Sequence, residues 1–355
     1  MQRIIWFFLF FIVSANVFAA TKQLPPVRAL YLSPGVLLDS NKVQHFIELT
    51  KHTRVNAYVI DAKGEDGKVH YKSQLPAVLT ANAWSDEYEL DRLLKQLHKN
   101  HIRVIARIVC FNDPLLSAFK PALAVTHADG TLYKSPISGN WLNPVNKENW
   151  KYLVDIAKEC TAKGFDEIQF DYVRFPTDGD VKDLDFGQPV PVRHFIIDSF
   201  LAYARKQMPR AILSADVFGI ICESVNDPEK IGQTIETVGK DLDYISPMIY
   251  PSLFACGQEV NRVKFEKPDL DPYNVVYNTI TGAKKRIATV NGYRAKIRPY
   301  LQAYTASWLK KEIYQTYGPE QIRQQIKAAN DAGCDQWIFW NEDGIYPEEG
   351  LKIPK

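Results

Sequence analysis

Short apolar runs alternate along this chain with longer segments whose apolar positions recur every third or fourth residue. The runs at 27–32, 55–62 and 102–109 have the length and β-branched content of strands. The third is apolar nearly throughout, as a parallel strand covered on both faces should be. Between them, 41–52 carries Val43, Phe46, Ile47 and Leu49 at helical spacing, and 86–100 places Leu90, Leu93, Leu94 and Leu97 on one stripe. After a long stretch rich in Pro, Gly and Ser (111–146), a helix over 147–163 closes on Lys163-Gly164, a cation and a glycine at a helix end. A strand follows at once: Ile168 and Phe170 alternate with Glu167, Gln169 and Asp171, and Pro176 ends the ladder by removing a donor.

The second half keeps this rhythm. Helices are predicted over 192–207, 228–239 (with Pro228 at its first turn), 272–290 and 319–332, and strands over 211–217, 243–248, 297–303 and 335–340. Eight strand–helix units, the last helix short or missing, point to an α/β fold: one (β/α)8 TIM barrel spanning 24–355, not an open sheet. Its long loops follow strands three and six, on the carboxyl side of the strands, where such barrels build active sites. No GxGxxG or GxxxxGK[ST] follows the first strand, which disfavours a nucleotide-binding fold.

The N-terminus changes the picture of where the barrel works. Met1, Gln2 and Arg3 precede an uncharged apolar run, then the small residues around Val17 and Ala19. This is the pattern of a secretory signal peptide over 1–19, too short for an ordinary membrane span, although an uncleaved anchor is the alternative. Cleavage after Ala19 implies a periplasmic or secreted protein with no stable membrane span. The whole chain is 46% hydrophobic and 24% charged with a net charge of +2, ample for a core and without the basic block that nucleic acid requires. Five cysteines leave at least one unpaired. Cys222 and Cys256 fall in neighbouring loops and are either a bridge or two unrelated thiols. The histidines are scattered and no cysteine pair has ligand spacing, so neither a metal nor a cofactor is expected.

Candidate chemistry comes from the polar residues at the strands' carboxyl ends. These are Asp61 and Lys63 from strand two, Arg107 from strand three, Asp171 and Arg174 from strand four and Asp216 from strand five. Tyr250 follows strand six, Gln302 and Tyr304 end strand seven, and Trp340, Asn341 and Glu342 end strand eight. Together they describe a wet cleft walled by aromatics. Glycoside hydrolysis needs two carboxyls, one to protonate the leaving oxygen and one to attack the anomeric carbon or activate water. Asp171 and Asp216 are the best-placed pair, with Arg174 or Lys63 expected to hold one ionised while burial raises the other. The plainer reading makes Asp171 a partner of Arg174 and Asp216 a structural hub. The other ten residues are expected to bind a polysaccharide or oligosaccharide. No GxSxG elbow supports an esterase.

Several runs carry a resemblance: VNAYVIDAK at 55–63, FDEIQFDYVRFP at 165–176, SADVFG at 214–219, ISPMIYPS at 245–252, IRPYLQAY at 297–304 and DAGCDQWIFWN at 331–341. The chain resembles the bacterial glycoside hydrolase domain family of (β/α)8 barrels distantly similar to alpha-amylases. The resemblance implies a hydrolase of glycosidic bonds with carboxylates at the Asp171 and Asp216 positions. It also implies an acidic residue after Leu-Gln on strand seven and a His after Tyr-Pro-Ser, where this chain has Ala303 and Leu253. A hydrolase is therefore expected, with a non-catalytic carbohydrate-binding barrel as the alternative.

Overall fold

A computed structural model describes residues 26–353; the expected signal peptide at 1–19 lies outside them. Parallel strands β1 (Arg28–Leu32), β2 (Ala57–Lys63), β3 (Arg103–Val109), β4 (Glu167–Asp171), β5 (Leu213–Phe218) and β6 (Tyr244–Ile249) pair in sequence order. The seventh position, β7, is filled by two pieces, Lys296–Ile297 and Tyr300–Gln302, and β8 (Trp337–Trp340) pairs with β1 to close the barrel. Around it stand α1 (Ser40–His52), α2 (Leu90–Lys99), α3 (Lys147–Lys163), α4 (His194–Gln207), α5 (Pro272–Ile287) and α6 (Pro319–Asp331). Helix α3 shows the local logic. The Asn146 side chain accepts from the Glu148 amide at 2.9 Å, and Gly164 ends the helix at φ +106°, a conformation that glycine adopts without a Cβ clash.

Residues at alternate positions of each strand fill the interior. Ala29, Val59, Ile105, Tyr300 and Ile338 form its apolar part, while the outward strand residues pack against the helices in a larger core. A buried ion pair crosses the interior: Arg298 Nη1 lies 3.0 Å from Glu167 Oε2, and Ser214 Oγ donates to Glu167 Oε1 at 2.6 Å.

Two expectations fail locally. No helix forms over 228–239. The Asp227 carboxylate instead accepts from the amides of Ile231 and Gly232 at 2.9 and 2.8 Å, and Gln233 bonds the Phe218 amide and the Val173 carbonyl. Gly232 sits at φ +82°, with Phe175 and Ile197 so close that a Cβ would collide. The apolar positions Ile231, Ile235 and Val238 still reach the core, so the periodic signal reported burial correctly and conformation wrongly. Strand seven is interrupted at Arg298 and Pro299, because proline cannot donate to the ladder. Cys222 is buried and Cys256 exposed, and both are free thiols. No helix among the described residues is long and apolar enough to cross a membrane.

Candidate active site

The register brings the chemistry together. Asp61 lies opposite Arg107, and Arg107 opposite Gln169. Phe170 lies opposite Ala215, so Asp171 and Asp216 stand side by side one residue further along, on strands about 4.8 Å apart. Both reach the inside of the barrel at its carboxyl end, where a cavity of about 550 Å³ opens.

Arg107 organises this end. It is 2% exposed. Its Nε donates to Asp171 Oδ2 at 2.8 Å, Nη1 to Asp61 Oδ1 at 2.9 Å and Nη2 to Glu65 Oε1 at 2.9 Å. Burial opposes its charge, but Asp61 and Asp171 outweigh burial and raise its pKa above the usual arginine value. The guanidinium also lies 5.6 and 5.3 Å from the ring centres of Tyr31 and Trp340, which stack on each other 3.9 Å apart. The Tyr31 hydroxyl donates to Asp61 Oδ2 at 2.9 Å. The other oxygen of Asp171 accepts from the Tyr172 amide at 2.6 Å. Tyr172 itself adopts φ +48°, a left-handed conformation that costs energy for any residue with a Cβ and concentrates at functional sites.

Asp216 has a different environment. It is buried and its Oδ1 has no hydrogen-bond partner among the described residues, although the residue lines the cavity. Burial, followed by the negative charge of Asp171, pushes its pKa well above the ordinary carboxyl range. Two neighbouring carboxyl groups therefore differ in environment. One is forked by an arginine; the other is driven towards the neutral acid.

Most of the residues expected at the mouth are there. Asp171, Asp216, Arg107, Arg174, Tyr250 and Tyr304 line the cavity, as do Trp340, Asn341 and Glu342; Asp61 lines an adjoining one. Two are not. The pairing of β2 with β3 slips between Asp61 and Lys63, and this bulge turns Lys63 out of the barrel. There it is fully buried, donating to the Val109 carbonyl at 2.8 Å and pairing with Asp113 at 3.1 Å. Gln302 is likewise sealed, joining the Ser252 amide, the Tyr304 carbonyl and Asp269. Neither is placed to touch a ligand.

Arg174 corrects a third expectation. Among the described residues it makes no ion pair with Asp171 or Asp216. Its guanidinium lies 4.7 Å from the ring centre of Trp141 and 4.8 Å from that of Phe218, as part of the cavity wall. The ion pair expected of Arg174 or Lys63 is made instead by Arg107, to Asp171 at 2.7 Å and to Asp61 at 2.9 Å. The sequence reading missed Tyr31, Glu65, Phe218 and Trp308. Tyr31 was legible as an inward position of β1, but Glu65 and Trp308 lie on loops without periodicity. Among the described residues no group of three His, Cys, Asp or Glu side chains is arranged to hold a metal ion.

Residues 29–346 match a family described as putative glycosyl hydrolase domain. A hypothetical protein from Ruminiclostridium thermocellum is 47% identical, covering 53% of this chain and 97% of its own, with a TM-score of 0.49. The glycoside hydrolase domain of PgaB (BpsB) from Bordetella bronchiseptica superposes with a TM-score of 0.66 at 13% identity, over 93% of this chain and 100% of its own. The spore cortex-lytic enzyme SleL from Bacillus cereus gives 0.51 at 10% identity, over 91% and 72%. At these low identities the likeness to the last two is one of fold, a closed parallel eight-stranded barrel with helices. No curated protein sequence matches the chain.

Proposed function

The chain belongs to the putative glycosyl hydrolase domain family, and on that premise we propose that it is an exported enzyme cleaving glycosidic bonds of a polysaccharide with two carboxyl groups. The observation that carries this reading is the contrast between Asp171 and Asp216. Asp216, raised by burial, is the group that holds a proton for the leaving oxygen as the bond to the anomeric carbon breaks. Its unpartnered Oδ1 supports this role, since a ligand oxygen entering the cavity supplies the missing partner. Asp171, aimed by Arg107 and the Tyr172 amide, either attacks the anomeric carbon or takes the proton of an attacking water. Asp61, Arg174, Tyr250, Tyr304, Trp340, Asn341 and Glu342 surround the sugar.

The test is turnover. Purified mature protein is incubated with cell-wall polysaccharides and exopolysaccharides, and new reducing ends are counted. On a polymer that the wild type cleaves, Asp171→Asn should lose about 10²-fold or more, because a group acting directly on the reacting bond contributes at least that much. Retention of more than about a tenth of the activity removes Asp171 from the reaction. N-terminal sequencing of the exported protein checks the periplasmic or secreted location; the mature chain should begin at Ala20.

One observation favours a second reading, a carbohydrate-binding barrel without catalysis. The positions where an acid and a His were expected hold Ala303, which is buried, and Leu253, which is exposed on the cavity rim. That reading predicts saturable binding of a polymer with no reducing ends, unchanged in Asp171→Asn.

A further inference from the structure

The central cavity does not stand alone. A second cavity of about 430 Å³ adjoins it and shares Glu65, Arg107 and Glu342 with it. A third, of about 230 Å³, adjoins it on the side of β5 and β6 and shares Phe218, Met248, Tyr250 and Leu253. The three lie in a row along the barrel mouth, the outer two each sharing wall residues with the central one, and we read them as one trough. It runs from Lys68 and His70 at one end to Phe254 and Gln258 at the other, with Asp171 and Asp216 lining its middle section. The arms differ in chemistry. One is bordered by Asp61, Asp66, Glu87 and Tyr88, the other by Ile220, Leu253 and Phe254.

Aromatic rings climb the wall between floor and rim. Tyr250 meets Tyr304 edge to face at 5.9 Å, and Tyr304 stacks on Trp308 at 5.7 Å with 27° between the planes. The Tyr304 hydroxyl lies 3.2 Å from the Ser252 hydroxyl, which fixes the middle ring. Trp308 lines the cavity yet is 65% exposed. A tryptophan left that exposed beside a cavity presents apolar area that the fold itself does not use.

We propose that this trough holds an internal segment of a polysaccharide and that Trp308 is an outer subsite, stacking on a sugar ring beyond the pair at the scissile bond. The inference rests on the hydrolase reading and adds its mode. A pocket closed at one end receives a chain terminus, whereas a trough with an arm on each side of the acid pair admits chain on both sides of the cut. Cleavage then falls within the chain. Atoms balance as in any glycoside hydrolysis: the leaving sugar keeps the bridging oxygen and gains a proton, and water supplies hydroxyl to the anomeric carbon.

The experiment follows product length and viscosity on a polymer that the wild type cleaves, beside a short chromogenic glycoside of the same sugar. Viscosity should collapse before many reducing ends appear, and mass spectrometry should show a ladder of oligomers. Trp308→Ala should lose about fivefold to tenfold in kcat/KM on the polymer, the worth of one aromatic stacking contact, with the loss concentrated in KM and clearly smaller on the short glycoside. Release of a single small product with viscosity unchanged overturns internal cleavage. An equal loss on both substrates overturns the outer subsite. Absence of reducing ends from every polymer overturns the hydrolase reading itself, which separates the two failures.

Discussion

At the scale of single residues the site is a problem in charge. Arg107 faces three carboxylates, those of Asp61, Glu65 and Asp171, and Asp216 is left outside its fork. The consequence for Asp216 is measurable in the folded state as well as in turnover. Its pKa is higher folded than unfolded, so across the interval between the two values the native chain binds more protons and stability falls as pH rises. Below the unfolded value, near 3.9, the acid is neutral in both states and nothing is lost. Asp216→Asn, neutral at every pH, should therefore unfold in urea with a higher midpoint than wild type at pH 7 and with a similar one near pH 3.5. Each unit of upward shift is equivalent to about 1.4 kcal/mol. The same variant should be inactive. A midpoint at pH 7 equal to or below that of wild type shows that Asp216 is ionised and held by unseen partners.

At the scale of elements, what was legible followed from period and what was not followed from competition. The eight strands were visible as short apolar runs between helical periods, and the polar residues at their carboxyl ends placed Asp61, Arg107, Asp171 and Asp216 at one mouth. Lys63 was misplaced because a bulge is a two-against-one pairing that depends on the neighbouring strand. The missing helix at 228–239 is a similar case, as the hydrogen bonds of Asp227 and Gln233 to local and distant backbone displaced helical ones. Arg298 was not singled out at all, yet it joins β7 to β4 through Glu167. Removing one partner of so buried a pair strands the other charge, so Glu167→Gln should cost about 3–5 kcal/mol in urea denaturation. Glu167→Leu combined with Arg298→Met should cost much less, because no charge is left unpaired. Equal costs for the single and double variants show that the pair itself, and not the stranded charge, is what stabilises.

At the scale of the molecule, closure depends on the C-terminal segment. Tyr346 leaves the end of β8 and donates its hydroxyl to the Tyr31 carbonyl at 2.5 Å, while accepting from the Asn341 amide at 3.2 Å. Leu351 is buried in the core, and Lys352 bridges to Thr53 beyond the end of α1. The seam between the first and last strands is thus stapled by a segment that follows both. Tyr346→Phe keeps the ring and deletes the staple, and should destabilise by about 1–3 kcal/mol, the cost of leaving buried backbone groups unpaired. An unfolding midpoint equal to wild type assigns the closure to strand pairing alone.

That seam also fixes an order of events in time. The Val27 amide bonds to Gln336 and β1 registers against β8, partners separated by some three hundred residues. Until the last strand arrives, β1 has an open edge on one side and the barrel has no way to close. Contacts so distant in sequence are paid in loop entropy before they are rewarded, which slows folding. A chain delivered from its N-terminus, whether by the ribosome or through a membrane pore, therefore stays unclosed until nearly all of it has emerged. The architecture that builds the site thus also sets when the chain ceases to be threadable: only once its last strand has been made.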